Sequence, residues 1–142
     1  MFITGAASGL GEATARWLHA MGCNVALADV DLKKLEQMKS ELVERVFVMK
    51  CDVTKEDEVK EAIDSTVAHF GNLHVAIPCA GVGWIVMTLT SKKTLDTALM
   101  KKMFDINVMG SIFVSKYASY YMAKNEALND KGEKGLIVFV SS

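Results

Sequence analysis

The apolar positions fall into short runs separated by longer stretches of helical period. Phe2-Ile3-Thr4 is a brief apolar segment that runs into a glycine-rich turn. From about Leu10 to Met21, the residues Ala13, Trp17, Leu18 and Met21 recur at helical spacing, and Gly22 marks the end. Asn24 to Asp29 is a continuous apolar run closed by a carboxylate, the pattern of a strand buried on both faces. Asp31 to about Val43 predicts a second helix, with Leu32, Leu35, Met38 and Leu42 on one side, and Val46–Met49 a third strand. Thr54 is placed to cap a third helix, with Asp57 three positions on. Val59, Ile63, Val67 and Phe70 give that helix its buried face, and Gly71 stops it. Leu73–Ile77 reads as a fourth strand entering Pro78-Cys79-Ala80-Gly81. The pattern is lost from Val82 to Thr94, a surface loop. Leu95 to about Ala127 is helical in two pieces, with a break near Asp105-Ile106-Asn107. After the polar, turn-rich Asn129–Gly135, Leu136–Val140 is a fifth apolar strand ending at Ser141-Ser142.

This alternation predicts an α/β fold: a Rossmann-type, doubly wound parallel sheet in three layers (αβα), cut off after the fifth strand. No linker or repeat beyond the βα unit interrupts it, so residues 1–142 read as one domain. Composition agrees. The chain is 51% hydrophobic and 23% charged with a single proline, which excludes collagen-like, disordered and disulfide-scaffold classes. Sixteen basic residues face seventeen acidic ones, with no basic stripe for nucleic acid or an anionic membrane. No apolar run reaches the ~18 residues of a membrane span. Met1 to Gly5 carries neither the charged lead nor the cleavage site of a targeting segment. Cys23, Cys51 and Cys79 are odd in number and form no CxxC pair, so the reading is three reduced thiols in an intracellular protein, cytoplasmic or mitochondrial. His19, His69 and His74 sit in no ligand spacing, and no metal is expected.

The candidate chemistry begins at Thr4-Gly5-Ala6-Ala7-Ser8-Gly9-Leu10-Gly11, which follows a strand and opens a helix. A pyrophosphate needs backbone N–H groups at close range. Glycines remove the Cβ that keeps it away, and a helix N-terminus supplies unpaired donors and a positive dipole end. A strand–helix turn that merely needs small residues is the plainer alternative. Asp29, at the end of the second strand, is placed to accept hydrogen bonds from both ribose hydroxyls of an adenosine and to repel a 2′-phosphate. With no Lys or Arg between Ala6 and Gly11, this favours NAD over NADP. A solvated strand-end carboxylate, or a role shared with Asp31, is the alternative.

Five segments in order now resemble the short-chain dehydrogenase/reductase family across the whole chain: the glycine loop, Cys51-Asp52-Val53-Thr54, Cys79-Ala80-Gly81, Asp105-Ile106-Asn107-Val108-Met109-Gly110, and Ile137-Val138-Phe139-Val140-Ser141-Ser142. The Pro78–Gly81 run, the loop after it and the polar insert at Asn125–Gly135 look most like the type-2 3-hydroxyacyl-CoA dehydrogenase branch, which also oxidises hydroxysteroids. The resemblance implies an NAD-dependent oxidoreductase that passes a hydride between a secondary alcohol and nicotinamide. Thr4, Gly5, Ser8, Gly9, Leu10, Gly11 and Asp29 are its candidate cofactor contacts, together with Asp52 on the adenine, Val53 packed against it, and Cys79. Ala80 and Gly81 let the chain pass close to the nicotinamide-side ribose. Asn107 interrupts the long helix and holds a water of the proton relay, and Ser142 hydrogen-bonds the substrate oxygen. Plainer roles stay open: a turn for Asp52, an N-cap for Asn107, a strand end for Ser142. A homo-oligomer, dimer or tetramer, is implied, with the long helix as half of one interface.

Two departures stand out. Pro78 occupies a position where the family usually has Asn, and His74 one where it usually has Asp; a surface or packing role is expected for His74. The family's chemistry also needs a Tyr and a Lys one helical turn apart, the Lys lowering the Tyr pKa. In the family that pair lies beyond the Ser, on the next helix. Tyr120 and Lys124 have the right spacing but precede the Ser strand, so a solvated or interface role is expected of them. Met100, Met103 and Phe104 read as core. Alternative functions are an NAD-binding or structural subunit lacking its proton acceptor, and an S-adenosylmethionine-dependent methyltransferase. The latter usually has a GxGxG loop, whereas three residues separate Gly5 from Gly9 here.

Overall fold

A computed structural model describes residues 1–85, 87–89 and 94–141. Ser142 therefore lies outside the described residues. The elements alternate as expected: β1 (Phe2–Thr4), α1 (Gly9–Ala20), β2 (Val25–Asp29), α2 (Leu32–Leu42), β3 (Val46–Lys50), α3 (Glu56–Phe70), β4 (Val75–Pro78), α4 (Thr97–Phe104), a π turn (Asp105–Met109), α5 (Gly110–Met122) and β5 (Leu136–Ile137). The five strands form one parallel sheet in the order β3-β2-β1-β4-β5. The order reverses beside β1, so the connections after β1 and β4 lead to opposite faces of the sheet and a crevice forms at the C-terminal ends of the strands. No helix among the described residues is long and apolar enough to cross a membrane.

Successive residues of a strand face opposite sides, and both faces are covered. Ile3, Val25, Leu27, Val46, Val48 and Ile77 pack with Ala15 of α1 and with Leu35 and Met38 of α2. On the other face Phe2, Ala26, Ala28 and Ala76 meet Val59, Ala62 and Ile63 of α3 and Val114, Ala118 and Met122 of α5. The alanines of β2 let α3 and α5 approach closely, while the larger residues of the same strand fill the opposite layer.

Several local expectations are corrected. On α1 the buried positions are Gly11 and Ala15; Trp17 and Met21 are each 63% exposed. The helix lies close to β1 and β2, with Gly11 and Ala15 directly beneath it, and Leu18, expected on the inner face, packs partly buried against the same core. Thr54 does not cap α3. Its hydroxyl and its N–H both donate to Asp52 Oδ1, at 2.8 and 3.0 Å, and Lys55 takes the N-cap position. The helix after Asp96 does not break. It widens into the π turn and continues to Met122, short of Ala127. Phe104 is 55% exposed rather than core, and α4 buries no residue fully. β5 pairs over two residues instead of five.

Candidate functional site: a dinucleotide cleft

The glycines of the first loop have distinct duties. Gly5, at φ +64°, turns the chain out of β1, and a Cβ there would lie 2.7 Å from the Ala80 backbone. A Cβ on Gly11 would lie 2.1 Å from Gly5 O, so the first turn of α1 sits directly on the loop. Gly9, at φ +55°, has nothing within 4 Å of its Cβ position. Two glycines thus permit protein to pack on protein, and the middle one keeps open space beside the N-terminus of α1. Ser8 holds the N-cap position in an extended conformation; its carbonyl accepts from Glu12 N–H at 3.1 Å, and its hydroxyl makes no capping bond.

Asp29 closes β2 at the bottom of this space. Its Oδ2 accepts from Ala7 N–H and its Oδ1 from Asp31 N–H, both at 3.0 Å. The carboxylate therefore braces the glycine loop while lining the cleft. Asp31 turns away and caps α2 by accepting from Lys34 N–H at 3.2 Å. The two acids are separated by geometry that their spacing in the sequence leaves open.

Asp52 and Val53 follow β3. Burial pushes the Asp52 carboxyl up, but the two bonds from Thr54, with Lys55 and Lys102 nearby, outweigh it and hold the carboxyl below its ordinary range. The Asp52 N–H donates to Glu58 at 2.8 Å. Burial drives the Cys51 thiol up to about 12, and Glu58, Asp52 and Asp29 add to the effect. Cys51 is accordingly an inert wall group. After β4, the Ala80 N–H donates to Thr4 Oγ1 at 3.3 Å. Thr4 is 1% exposed and lies beneath the cleft as a brace, outside its lining.

Asn107 sits in the π turn, and its amide makes two hydrogen bonds to one neighbour. Val82 N–H donates to its Oδ1 at 2.9 Å, and its Nδ2 donates to Val82 O at 2.8 Å. This pair of hydrogen bonds replaces the N-cap alternative and ties the loop after β4 to the long helix. The extra residue of a π turn gives the side chain that reach without interrupting the helix.

These elements enclose a cleft of about 400 Å³. Of the residues expected from sequence, Gly5, Ser8, Gly9, Leu10, Gly11, Asp29, Asp52, Val53, Cys79, Ala80 and Gly81 line it. Asn107 stands behind Val82. Val30, Cys51, Val82 and Ile106 also line it and were not anticipated. The first three directly follow or precede residues that were, so strand-end adjacency was the available signal. Ile106 comes from the π turn and directly precedes Asn107, so adjacency was its signal as well. No Lys or Arg lines the cleft among the described residues. Its positive character comes from backbone N–H groups and the α1 dipole. An open cradle beside a helix N-terminus, with a carboxylate at the end of β2, fits a dinucleotide.

Tyr120 and Lys124 do interact. Lys124 Nζ lies 3.7 Å from the Tyr120 ring centroid, and its hydrogen bond and charge lower the phenol pKa. Yet Tyr120 is 58% exposed and stands about 20 Å beyond Asn107 along the helix. Its neighbour Tyr121 donates to Asp64 on α3 at 2.8 Å.

The short chain dehydrogenase family model matches residues 1–142. A 3-hydroxyacyl-CoA dehydrogenase type-2 of Drosophila melanogaster is 34% identical over 99% of this chain and 55% of its own length. Its Homo sapiens counterpart is 32% identical over 99% and 54%. Tropinone reductase-like 2 of Erythroxylum coca is 33% identical over 99% and 48%. Among solved structures, a short-chain dehydrogenase/reductase from Mycobacterium ulcerans superposes with a TM-score of 0.86 at 28% identity, covering 99% of this chain and 50% of that one. The fold is shared as well by a 3-ketoacyl-(acyl-carrier-protein) reductase from Brucella melitensis, with a TM-score of 0.87 at 24% identity over 99% of this chain and 55% of that one. The chain thus spans about half the length of the curated relatives it matches. A dehydrogenase match over every residue overturns the methyltransferase alternative. On its sequence, its sheet and its cleft, the chain belongs to the short-chain dehydrogenase/reductase family of oxidoreductases.

Proposed function

We propose that the whole protein is an NAD-dependent dehydrogenase acting on a secondary alcohol of the hydroxyacyl-CoA or hydroxysteroid class. Family members bind nicotinamide cofactors; the preference for NAD rests on Asp29. Its carboxylate is held by Ala7 N–H and Asp31 N–H at the end of β2, where its charge opposes a 2′-phosphate, and among the described residues no lysine or arginine in the lining offsets it. The cofactor, when bound, supplies the hydride-accepting ring. The residues of this chain do the rest of the holding. Gly9 and the α1 N-terminus receive the pyrophosphate, Asp29 the adenosine ribose, and Asp52 and Val53 the adenine. Cys79, Ala80 and Gly81 form the wall on the nicotinamide side, and Asn107 holds that wall through Val82.

In this reading Ser142 hydrogen-bonds the substrate oxygen, and the proton acceptor is a Tyr outside these 142 residues. The sequences named 3-hydroxyacyl-CoA dehydrogenase type-2 motivate the substrate class. The test is NADH formation by the whole protein with a panel of 3-hydroxyacyl-CoA and hydroxysteroid substrates, alongside calorimetry with NAD and NADP. Turnover with NAD and at least tenfold weaker NADP binding is the expected result, roughly the cost of leaving one charged group badly paired. NAD binding without turnover of any alcohol would support the second reading, a nucleotide-binding subunit.

A further inference from the structure

We infer that Glu58 is a positioning residue for the adenine end of the cofactor: from α3 it holds the turn that presents Asp52 and Val53 to the cleft, without lining the cleft itself. β3 ends at Lys50, and Cys51 N–H still completes its ladder by donating to Asp29 O at 2.9 Å. Alternate peptide groups of a strand face the same neighbour, so the Asp52 N–H points the other way. β3 closes one end of the sheet, and no neighbouring strand among the described residues is there to receive that donor. Glu58 receives it instead, at 2.8 Å. Glu58 stands in the first turn of α3, where the helix dipole favours a carboxylate. A glutamate at this place in a helix ordinarily reaches back to the N-cap residue, Lys55 here. This one reaches past it to Asp52 and gives its other oxygen to Lys55 Nζ at 2.9 Å.

The Asp52-Val53 turn is thereby gripped from several sides. Asp52 O accepts from Lys55 N–H at 2.9 Å, and Asp52 Oδ1 accepts both donors of Thr54. Val53 rests against α5: a Cβ at Gly110 would lie 2.8 Å from Val53 Cγ2, so the missing side chain lets the helix seat there. Among the described residues no hydrogen bond engages the second carboxylate oxygen, Asp52 Oδ2. On the dinucleotide reading above, on which this rests, that oxygen accepts from the exocyclic amino group of adenine. Its position follows from the Asp52 main chain, and Glu58 fixes the outward N–H of that main chain. Losing Glu58 releases one grip and leaves the others, so the effect on the cofactor is several-fold rather than complete.

Calorimetry on the whole protein with NAD and with nicotinamide hypoxanthine dinucleotide tests this. The second ligand carries a carbonyl where adenine carries its amino group. Glu58→Ala is expected to weaken NAD about fivefold, the scale of one net hydrogen bond, and to leave the hypoxanthine analogue within about twofold of the parent. Glu58→Gln keeps an oxygen that accepts from Asp52 N–H and is expected to bind NAD within about twofold of the parent. In an Asp52→Ala background, Glu58→Ala is expected to change NAD affinity no further, since two residues acting through one group are not additive. Equal weakening of both dinucleotides, or additive losses in the double variant, would mark a general structural effect and overturn the proposal. So would Glu58→Gln binding as weakly as Glu58→Ala. Should the alanine variant fold poorly, Glu58→Ser takes its place with the same expectations. A parent that binds NAD and a Glu58→Ala variant that binds it equally tightly would overturn this proposal alone; a parent that binds no NAD would overturn the dinucleotide reading along with it.

Discussion

β2 and β5 are both written as apolar runs, and they end as different objects. β2 carries five residues, four of them buried, and bonds to β1 on one side and β3 on the other. Among the described residues β5 pairs over two residues, with β4, and Leu136 is 57% exposed. Hydrophobicity nominates a strand; a donor for every rung and a layer on each face make it one. The cleft lies between these extremes. Its walls rise from the C-terminal ends of β1, β2, β3 and β4 and carry side-chain braces at Thr4, Asp29 and Asn107.

Substitutions at the two strands test the contrast most strongly. Leu27→Ala is expected to cost about 2–5 kcal/mol, because a fully buried leucine leaves a cavity. Leu136→Ala is expected to cost less than about 1 kcal/mol, since most of its surface is already in water. Denaturant midpoints decide this, and equal losses would erase the distinction. Gly9→Val ranks next. The backbone there is left-handed, so some stability is lost, but the larger effect is a side chain in the open cradle. NAD affinity should drop at least a hundredfold by calorimetry, roughly 3 kcal/mol of binding. Retained affinity would move the pyrophosphate elsewhere.

Asp29→Ala should narrow the NAD-to-NADP affinity ratio by about tenfold. An unchanged ratio would remove the basis for NAD preference. The effect of Asp52 is smaller and acid-dependent. Its folded pKa lies below its ordinary 3.8, so its contribution is complete at neutral pH and fades as pH falls below 3.8 through the folded value. Asp52→Asn should therefore lower the denaturant midpoint slightly at neutral pH and not at pH values under both pKas. Tyr120→Phe should change neither turnover nor NAD binding. A loss of turnover there would place the proton acceptor on α5 after all.

Much of the site was readable because it is local. The glycine loop, Asp29, Asp52-Val53 and Cys79-Ala80-Gly81 all sit at C-terminal strand ends, and a parallel sheet gathers those ends along one edge. The parts that were misread depend on which of several possible partners each group meets in space. Thr54 has the chemistry of an N-cap, yet Asp52, two residues away, takes both its donors. Trp17 and Met21 match a helical stripe, yet the inner face of α1 is taken by Gly11, Ala15 and Leu18. Asn107 resembles a helix breaker, and a single π turn absorbs it while Val82 occupies its amide.

The sequence by itself determined the alternation of strand and helix, the parallel doubly wound class and the order of the cofactor motifs, since each follows from periodicity and turn chemistry within a few residues. Only the tertiary structure decided which glycine stays open, that Asp29 rather than Asp31 meets the cleft, and that Asn107 pairs with Val82. Those outcomes depend on groups from separate elements meeting at hydrogen-bond distance, and a hydrogen bond that spans elements leaves no period in the chain.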